Sequence, residues 1–145
     1  MDFFSSMDVS SSGMAAERTR MNLISSNIAN ANSTRTKEGG PYKRKDPVFE
    51  AVPATSGFRT LFDADKSMAL KKVEVARITE DQSPPRIQYD PTHPDADAKG
   101  NVALPNVNVI EEMVDMVSAS RAYEANVTAA QAAKSMAMKT LVLLR

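Results

Sequence analysis

Residues 109–144 read VIEEMVDMVSASRAYEANVTAAQAAKSMAMKTLVLL, and this stretch decides the fold. Val109, Met113, Met116, Ser120, Tyr123, Val127, Ala130, Lys134, Ala137, Leu141 and Leu144 follow one another at alternating steps of four and three. Nine of these eleven positions are apolar, which is the pattern of a helix that packs along its whole length. The charges support it. Glu111, Glu112, Asp115 and Glu124 lie early, whereas Lys134, Lys139 and Arg145 lie late, so both groups complement the helix dipole. Asn106 or Asn108 supplies a side-chain acceptor for the first turn. Such a helix spans roughly 50 Å at 1.5 Å per residue. It is too long, and its apolar stripe too narrow, to be half of a compact two-layer core.

Proline shows where this regime ends. All eight prolines of the 145-residue chain lie between Pro41 and Pro105, and four of the five glycines lie within 37–105. Proline removes a backbone donor and clashes with the preceding turn of a helix. The chain therefore divides into an N-terminal helical arm (1–36), a Pro-rich middle (37–105) and a C-terminal helical arm (106–145). The expected class is α+β, with two long terminal helices forming a coiled coil around a small β-rich middle domain. In the N-terminal arm Met7, Met14, Met21 and Ile28 recur every seven residues. In the middle, 48–52, 72–78 and 86–89 read as short strands set off by Gly39-Gly40-Pro41, Ser83-Pro84-Pro85 and Asp90-Pro91. Residues 54–70 support no reading beyond loop and short strand.

The N-terminal arm ends in SSNIANANST (25–34), where Asn, Ser and Thr compete with the helix for backbone hydrogen bonds. This reads as a helix stop. Asn27, Asn30 and Thr34 also share one helical face, which reads as a polar stripe that fixes register between helices or subunits. Both readings stand at this point.

Composition excludes several functions. Eighteen Lys+Arg balance eighteen Asp+Glu, so the electrostatic footprint of a nucleic-acid binder is missing. Without cysteine there is no thiolate metal site and no thiol nucleophile, and a single histidine, His93, precludes any two-His site. No apolar run approaches the ~18 residues of a membrane span, so direct membrane insertion is not expected. The N-terminus lacks the basic and apolar regions of a cleaved signal peptide. Asp90, His93, Asp95 and Asp97 crowd one loop, but their spacing matches no calcium or zinc pattern. Asp, Pro and Gly at this density read as turns. A small hydrolase built on His93 would lack a nucleophile elbow. No catalytic, metal or cofactor-binding residue is assigned.

Several blocks carry a resemblance. They are Asn27-Ile28-Ala29-Asn30-Ala31-Asn32-Ser33-Thr34, Gly39-Gly40-Pro41-Tyr42-Lys43-Arg44-Lys45 and Tyr89-Asp90-Pro91-Thr92-His93-Pro94-Asp95-Ala96-Asp97. Pro105-Asn106-Val107-Asn108-Val109 and Ser120-Arg121-Ala122-Tyr123-Glu124-Ala125-Asn126 complete the set. With these the chain resembles the bacterial flagellar basal-body rod proteins, and its Pro-rich block resembles the proximal-rod branch. The resemblance implies a structural subunit that assembles helically with itself and other rod subunits into a hollow, torque-transmitting shaft and export conduit. It further implies passage through the flagellar type III export apparatus without a cleaved signal peptide. It implies a place in the basal body across the periplasm, near the junction of the MS ring and the rod. The terminal helices would pair, with Met113, Met116, Tyr123, Val127, Leu141 and Leu144 buried against the N-terminal arm. Asn27, Asn30, Arg121 and Glu124 would supply the polar contacts that set register. The alternative from the arms alone is a soluble coiled-coil adaptor.

Overall fold

The computed structural model describes residues 3–37, 39–53 and 70–143, so the expectation for 54–69 and the position of Leu144 lie outside the described residues. The order is α1 (Phe3–Ala29), β1 (Lys45–Pro53), β2 (Lys71–Glu80), β3 (Arg86–Tyr89), β4 (Asn101–Leu104) and α2 (Val109–Leu143). This is an α+β chain with long terminal helices around a strand-containing middle. Helix α2 starts where Asn108 turns its side-chain oxygen onto the Ile110 amide at 3.2 Å, an N-cap.

The two helices form an antiparallel pair. Asn27 meets Glu112, Arg20 meets Asp115, and Gly13 lies against Asn126, so the partners climb α2 as they descend α1. The pairing face of α2 runs through Glu112, Met116, Ala119, Tyr123, Asn126, Ala130, Ala133 and Ala137, each buried or half-buried. This is also a register of fours and threes, rotated by one residue at every second position from the seam of large side chains. The expectation for Met113 and Leu141 is corrected accordingly. They are 53% and 65% exposed and do not bury against α1. Small residues win the inner face because they let the backbones approach. At Gly13 an added Cβ would stand 3.0 Å from the Asn126 amide.

Among the described residues the middle holds two separate two-stranded antiparallel ribbons rather than one sheet. In the first, Lys45 pairs with Glu80 and Ala51 with Val73, and a bulge at Ala76 shifts the register between Val48 and Phe49. A lone two-stranded ribbon is marginal in water, and this one lies on α1. Its Lys45 end bonds Asn27, and its Val73 amide donates to Ser12 Oγ at 3.2 Å. Asn27 to Ser12 spans about 22 Å of helix and Lys45 to Ala51 about 20 Å of strand, so the two run side by side in step. The second ribbon pairs Arg86 with Leu104 and Tyr89 with Asn101. It turns Val102 inward at 3% exposure, and Ile87 and Tyr89 outward at 70% and 71%.

Candidate functional site

The most buried polar groups mark the place where α1, the ribbon and α2 meet. Asn27 and Glu112 are the largest fully withdrawn side chains besides Pro105 among the described residues, at 0% and 1% exposure. An amide buried without partners is costly, and Asn27 is fully partnered. Its Nδ2 donates to the Lys45 carbonyl at 2.9 Å and to Glu112 Oε2 at 3.0 Å. Its Oδ1 accepts from the Lys45 amide at 2.9 Å and from the Tyr42 hydroxyl at 2.9 Å. Asn27 thus gives the first residue of β1 the two bonds a neighbouring strand would give, while gripping α2 with the same amide.

Glu112 is held from its other side by Arg44, whose Nε lies 2.6 Å from Oε1. The same guanidinium reaches Asp46 at 3.5 Å and Asp115 at 3.8 Å. Arg20 of α1 also reaches Asp115, at 3.5 Å. Burial pulls the Arg44 pKa down. The hydrogen bond and charge of Glu112, then those of Asp46, outweigh that, so the net displacement is upward and the cation is held protonated. Removing Arg44 would leave the buried Glu112 carboxylate without its cation, the more damaging change to such a pair.

The residues singled out by sequence fall into distinct places. Asn27 is in the knot. Asn30 turns back on its own helix end, donating to the Ser26 carbonyl at 2.8 Å and accepting from Ser33 at 3.2 Å. Thr34 leaves that face and donates to Asp95 at 2.8 Å. The helix stop is present, and of the three residues only Asn27 reaches the other helix, so they do not form one stripe. Met7, Met14, Met21 and Ile28 are half-buried along α1, and Met116, Tyr123 and Val127 along α2. Arg121 and Glu124 are exposed and form no ion pair with each other among the described residues. Sequence reasoning missed Tyr42, Arg44 and Glu112. The available signal was that Glu112 begins an unbroken register through Ala119, Ala130 and Ala133.

In the loop of Asp90 to Gly100, the Asp90 and Asp97 carboxylates turn onto nearby groups of the loop itself, while Asp95 reaches Thr34. Asp90 Oδ1 accepts from the Thr92 hydroxyl at 2.7 Å and the Thr92 amide at 3.1 Å. Those bonds hold its carboxyl below the usual range. Asp97 Oδ1 accepts from the amides of Lys99 and Asn101. His93 Nδ1 accepts from the Asp95 amide. Gly100 closes the loop at φ 79°, where a Cβ would lie 2.9 Å from the Tyr89 ring. Among the described residues no three His, Asp or Glu side chains converge as metal ligands, and no helix is long and apolar enough to cross a membrane.

Comparison with known proteins places this architecture. Residues 7–35 match the family model described as flagella basal body rod protein, and 98–143 match that of the flagellar basal body rod FlgEFG protein C-terminal region. These intervals contain most of α1 and of α2. The chain is 46% identical to the flagellar basal-body rod protein FlgC of Borreliella burgdorferi, over 100% of this chain and 99% of that one. It is 45% identical to FlgC of Bacillus subtilis over 97% of each chain, and 41% identical to FlgC of Salmonella typhimurium over 94% of this chain and 93% of that one. Full-length similarity at this level, on a paired-helix fold whose two arms are the segments the family models match, shows that the chain belongs to the FlgC family of flagellar basal-body rod proteins.

Proposed function

We propose that this chain is a structural subunit of the proximal rod, assembling helically with other rod subunits into a hollow shaft that transmits torque and conducts exported chains. One observation carries the proposal. The α1–α2 pair buries Ile24 and half-buries Met116 and Tyr123 among small and polar side chains, and leaves another set of large apolar side chains outside. Ile110, Met113, Val114 and Val117 are all more than half exposed, as are Met136, Met138, Leu141 and Val142. An isolated subunit gains nothing from such surfaces, whereas an assembly buries them. Met113 and Leu141 then serve contacts between subunits rather than within one. Asn27 fixes the register of the helix pair, and residues 37–105 form the outer portion carried by it.

The finer reading rests on membership of the rod family. The subunit travels through the flagellar type III apparatus with no signal peptide cleaved, and acts in the periplasm-spanning rod near the MS-ring junction. Its contribution is mechanical and not catalytic. Contacts of this open, head-to-tail kind propagate without closing into a small ring.

The test is quantitative mass spectrometry of basal bodies purified with detergent and high salt. Recovery at a fixed number of copies per rod is the expected result. Absence from basal bodies, with the chain in the soluble fraction instead, would overturn the reading and favour the adaptor.

A further inference from the structure

The second ribbon is mounted on the rest of the chain at few points. Among the described residues, its backbone comes close to neither helix nor to the first ribbon. Every residue of β3 is exposed, and Val102 is the one buried residue of β4. A single buried side chain leaves a ribbon free to pivot. Among the described residues, the hydrogen bond and the ion pair by which 86–104 reach the rest of the chain both end on Asp95. Its Oδ2 accepts from the Thr34 hydroxyl at 2.8 Å, and its Oδ1 lies 3.9 Å from Arg35 Nη1. Thr34 and Arg35 follow the end of α1, so this carboxylate joins the loop of the ribbon to the foot of the helix pair.

Asp95 is oriented by His93, the only histidine of the chain. The imidazole Nδ1 accepts from the Asp95 amide at 3.1 Å. The His93 amide in turn donates to the Asp90 carbonyl at 3.3 Å, and the Ala96 amide to the His93 carbonyl at 3.1 Å. An accepting Nδ1 carries no proton, so the ring is neutral with its hydrogen on Nε2. Histidine is the side chain whose charge changes between pH 5 and 8. A proton on Nδ1 would set one donor against another and end the bond to the Asp95 amide.

The charged groups around this point decide where the carboxylate goes next. Asp90 and Asp95 belong to the loop itself, and Arg35 comes from the segment after α1. Asp97 is turned instead onto the amides of Lys99 and Asn101. An imidazolium would compete with Thr34 and Arg35 for the Asp95 carboxylate. Arg35 is a weak competitor, because its side chain is 82% exposed and solvent screens so open a pair.

We propose that His93 makes Asp95 a proton-sensitive catch. With the ring neutral, Asp95 holds Thr34 and the second ribbon keeps one angle to the helix pair. With the ring protonated, the catch opens and the ribbon pivots about Val102. The catch belongs to the single chain and does not depend on the rod reading.

The chain has no cysteine, so Ala98→Cys in the full-length protein takes a single nitroxide label beside the catch, at an exposed position. NMR then reads how strongly the label broadens the Thr34 and Arg35 amides. The broadening should be strong at pH 8 and fall about threefold by pH 5 as the ring gains its proton. Asp90 is held below the ordinary carboxylate range and does not titrate in this window. His93→Asn sets an acceptor oxygen near the place of Nδ1 and takes up no proton, so the broadening should stay strong at both pH values. Asp95→Ala should leave it weak at both. Broadening that is unchanged from pH 8 to pH 5, that falls equally in His93→Asn, or that survives Asp95→Ala would overturn the catch. Loss of the Val102 and Ala103 amide signals together with the broadening would also overturn it, because the ribbon would then unfold rather than pivot.

Discussion

Asn27 and Glu112 are 85 residues apart in sequence and joined by a 3.0 Å hydrogen bond, with both side chains withdrawn from water. Through this bond the two arms hold one register, and through the remaining bonds of Asn27 the first ribbon is fixed to both. Neither arm satisfies these groups alone. The knot therefore makes helix pairing and ribbon docking a single event.

Asn27→Ala should cost about 2–4 kcal/mol, because it leaves both backbone groups of Lys45 and an oxygen of Glu112 without a partner. Chemical denaturation checks the magnitude. Hydrogen exchange should show lost protection in β1 as well as in α1. Loss confined to α1 would contradict the coupling.

Arg44→Ala should be at least as damaging, at about 3–5 kcal/mol, since it takes the cation from the buried Glu112 carboxylate and leaves its Oε1 without this partner. Arg44→Ala combined with Glu112→Leu should recover part of the loss. A double variant as unstable as the sum of the two single ones would argue against the pairing.

Gly13→Ala should gain little by itself. Alanine favours a helix over glycine by about 1 kcal/mol, but the new Cβ presses on the Asn126 amide at 3.0 Å. In an Asn126→Ala background the same substitution should gain about that full amount. Thermal melts of the four proteins give the coupling directly. Gly13→Leu should separate the helices and lower the melting temperature in either background.

The Asp90 loop should loosen in acid. The Thr92 hydroxyl, then the Thr92 amide, hold the Asp90 carboxyl below its ordinary value. A depressed folded-state pKa means that the stabilisation is complete above the unfolded value, about 4, and is lost as pH falls through the lower folded one. Asp81 behaves alike through Ser83. NMR titration should show Asp90 protonating late. In Asp90→Asn, the exchange rate of the Thr92 amide should lose this acid dependence.

Tyr123→Ala tests the seam in the assembly. Tyr123 is half-buried on the α1-facing side, with its hydroxyl 3.5 Å from Arg18. The substitution should reduce incorporation into basal bodies several-fold while leaving the β3–β4 amide signals in place, because among the described residues the backbone of that ribbon does not come close to either helix. Normal incorporation would remove Tyr123 from the packing seam.

Much of this protein was legible in one dimension. The confinement of proline to 41–105 separates helix from non-helix, because the reason is local: a missing donor and a steric clash. Strands β1, β2 and β3 follow from alternation between turn residues. Strand β4 escaped notice because Asn101 to Leu104 is four residues long and gains strand geometry from pairing with β3. The Asp-Pro-Gly loop announced its turns, since the Asp90 and Asp97 carboxylates each bond amides two to four residues away.

What the linear pattern left open was which face of α2 points inward. Two registers of fours and threes coexist there, one through Met113 and Val127, the other through Glu112 and Ala119. Periodicity alone ranks the larger side chains first. The decision lies in contacts with distant residues: the close approach at Gly13, the carboxylate of Glu112 drawn in by Asn27 and Arg44, and the salt links of Asp115. The sequence by itself determined that there are two helical arms and that a Pro-rich, strand-containing segment separates them. Only the tertiary structure decided that the face through Glu112, Ala119 and Ala133 closes the pair while Met113 and Leu141 are left outside, because burial energy depends on which partner is present and how near it can come.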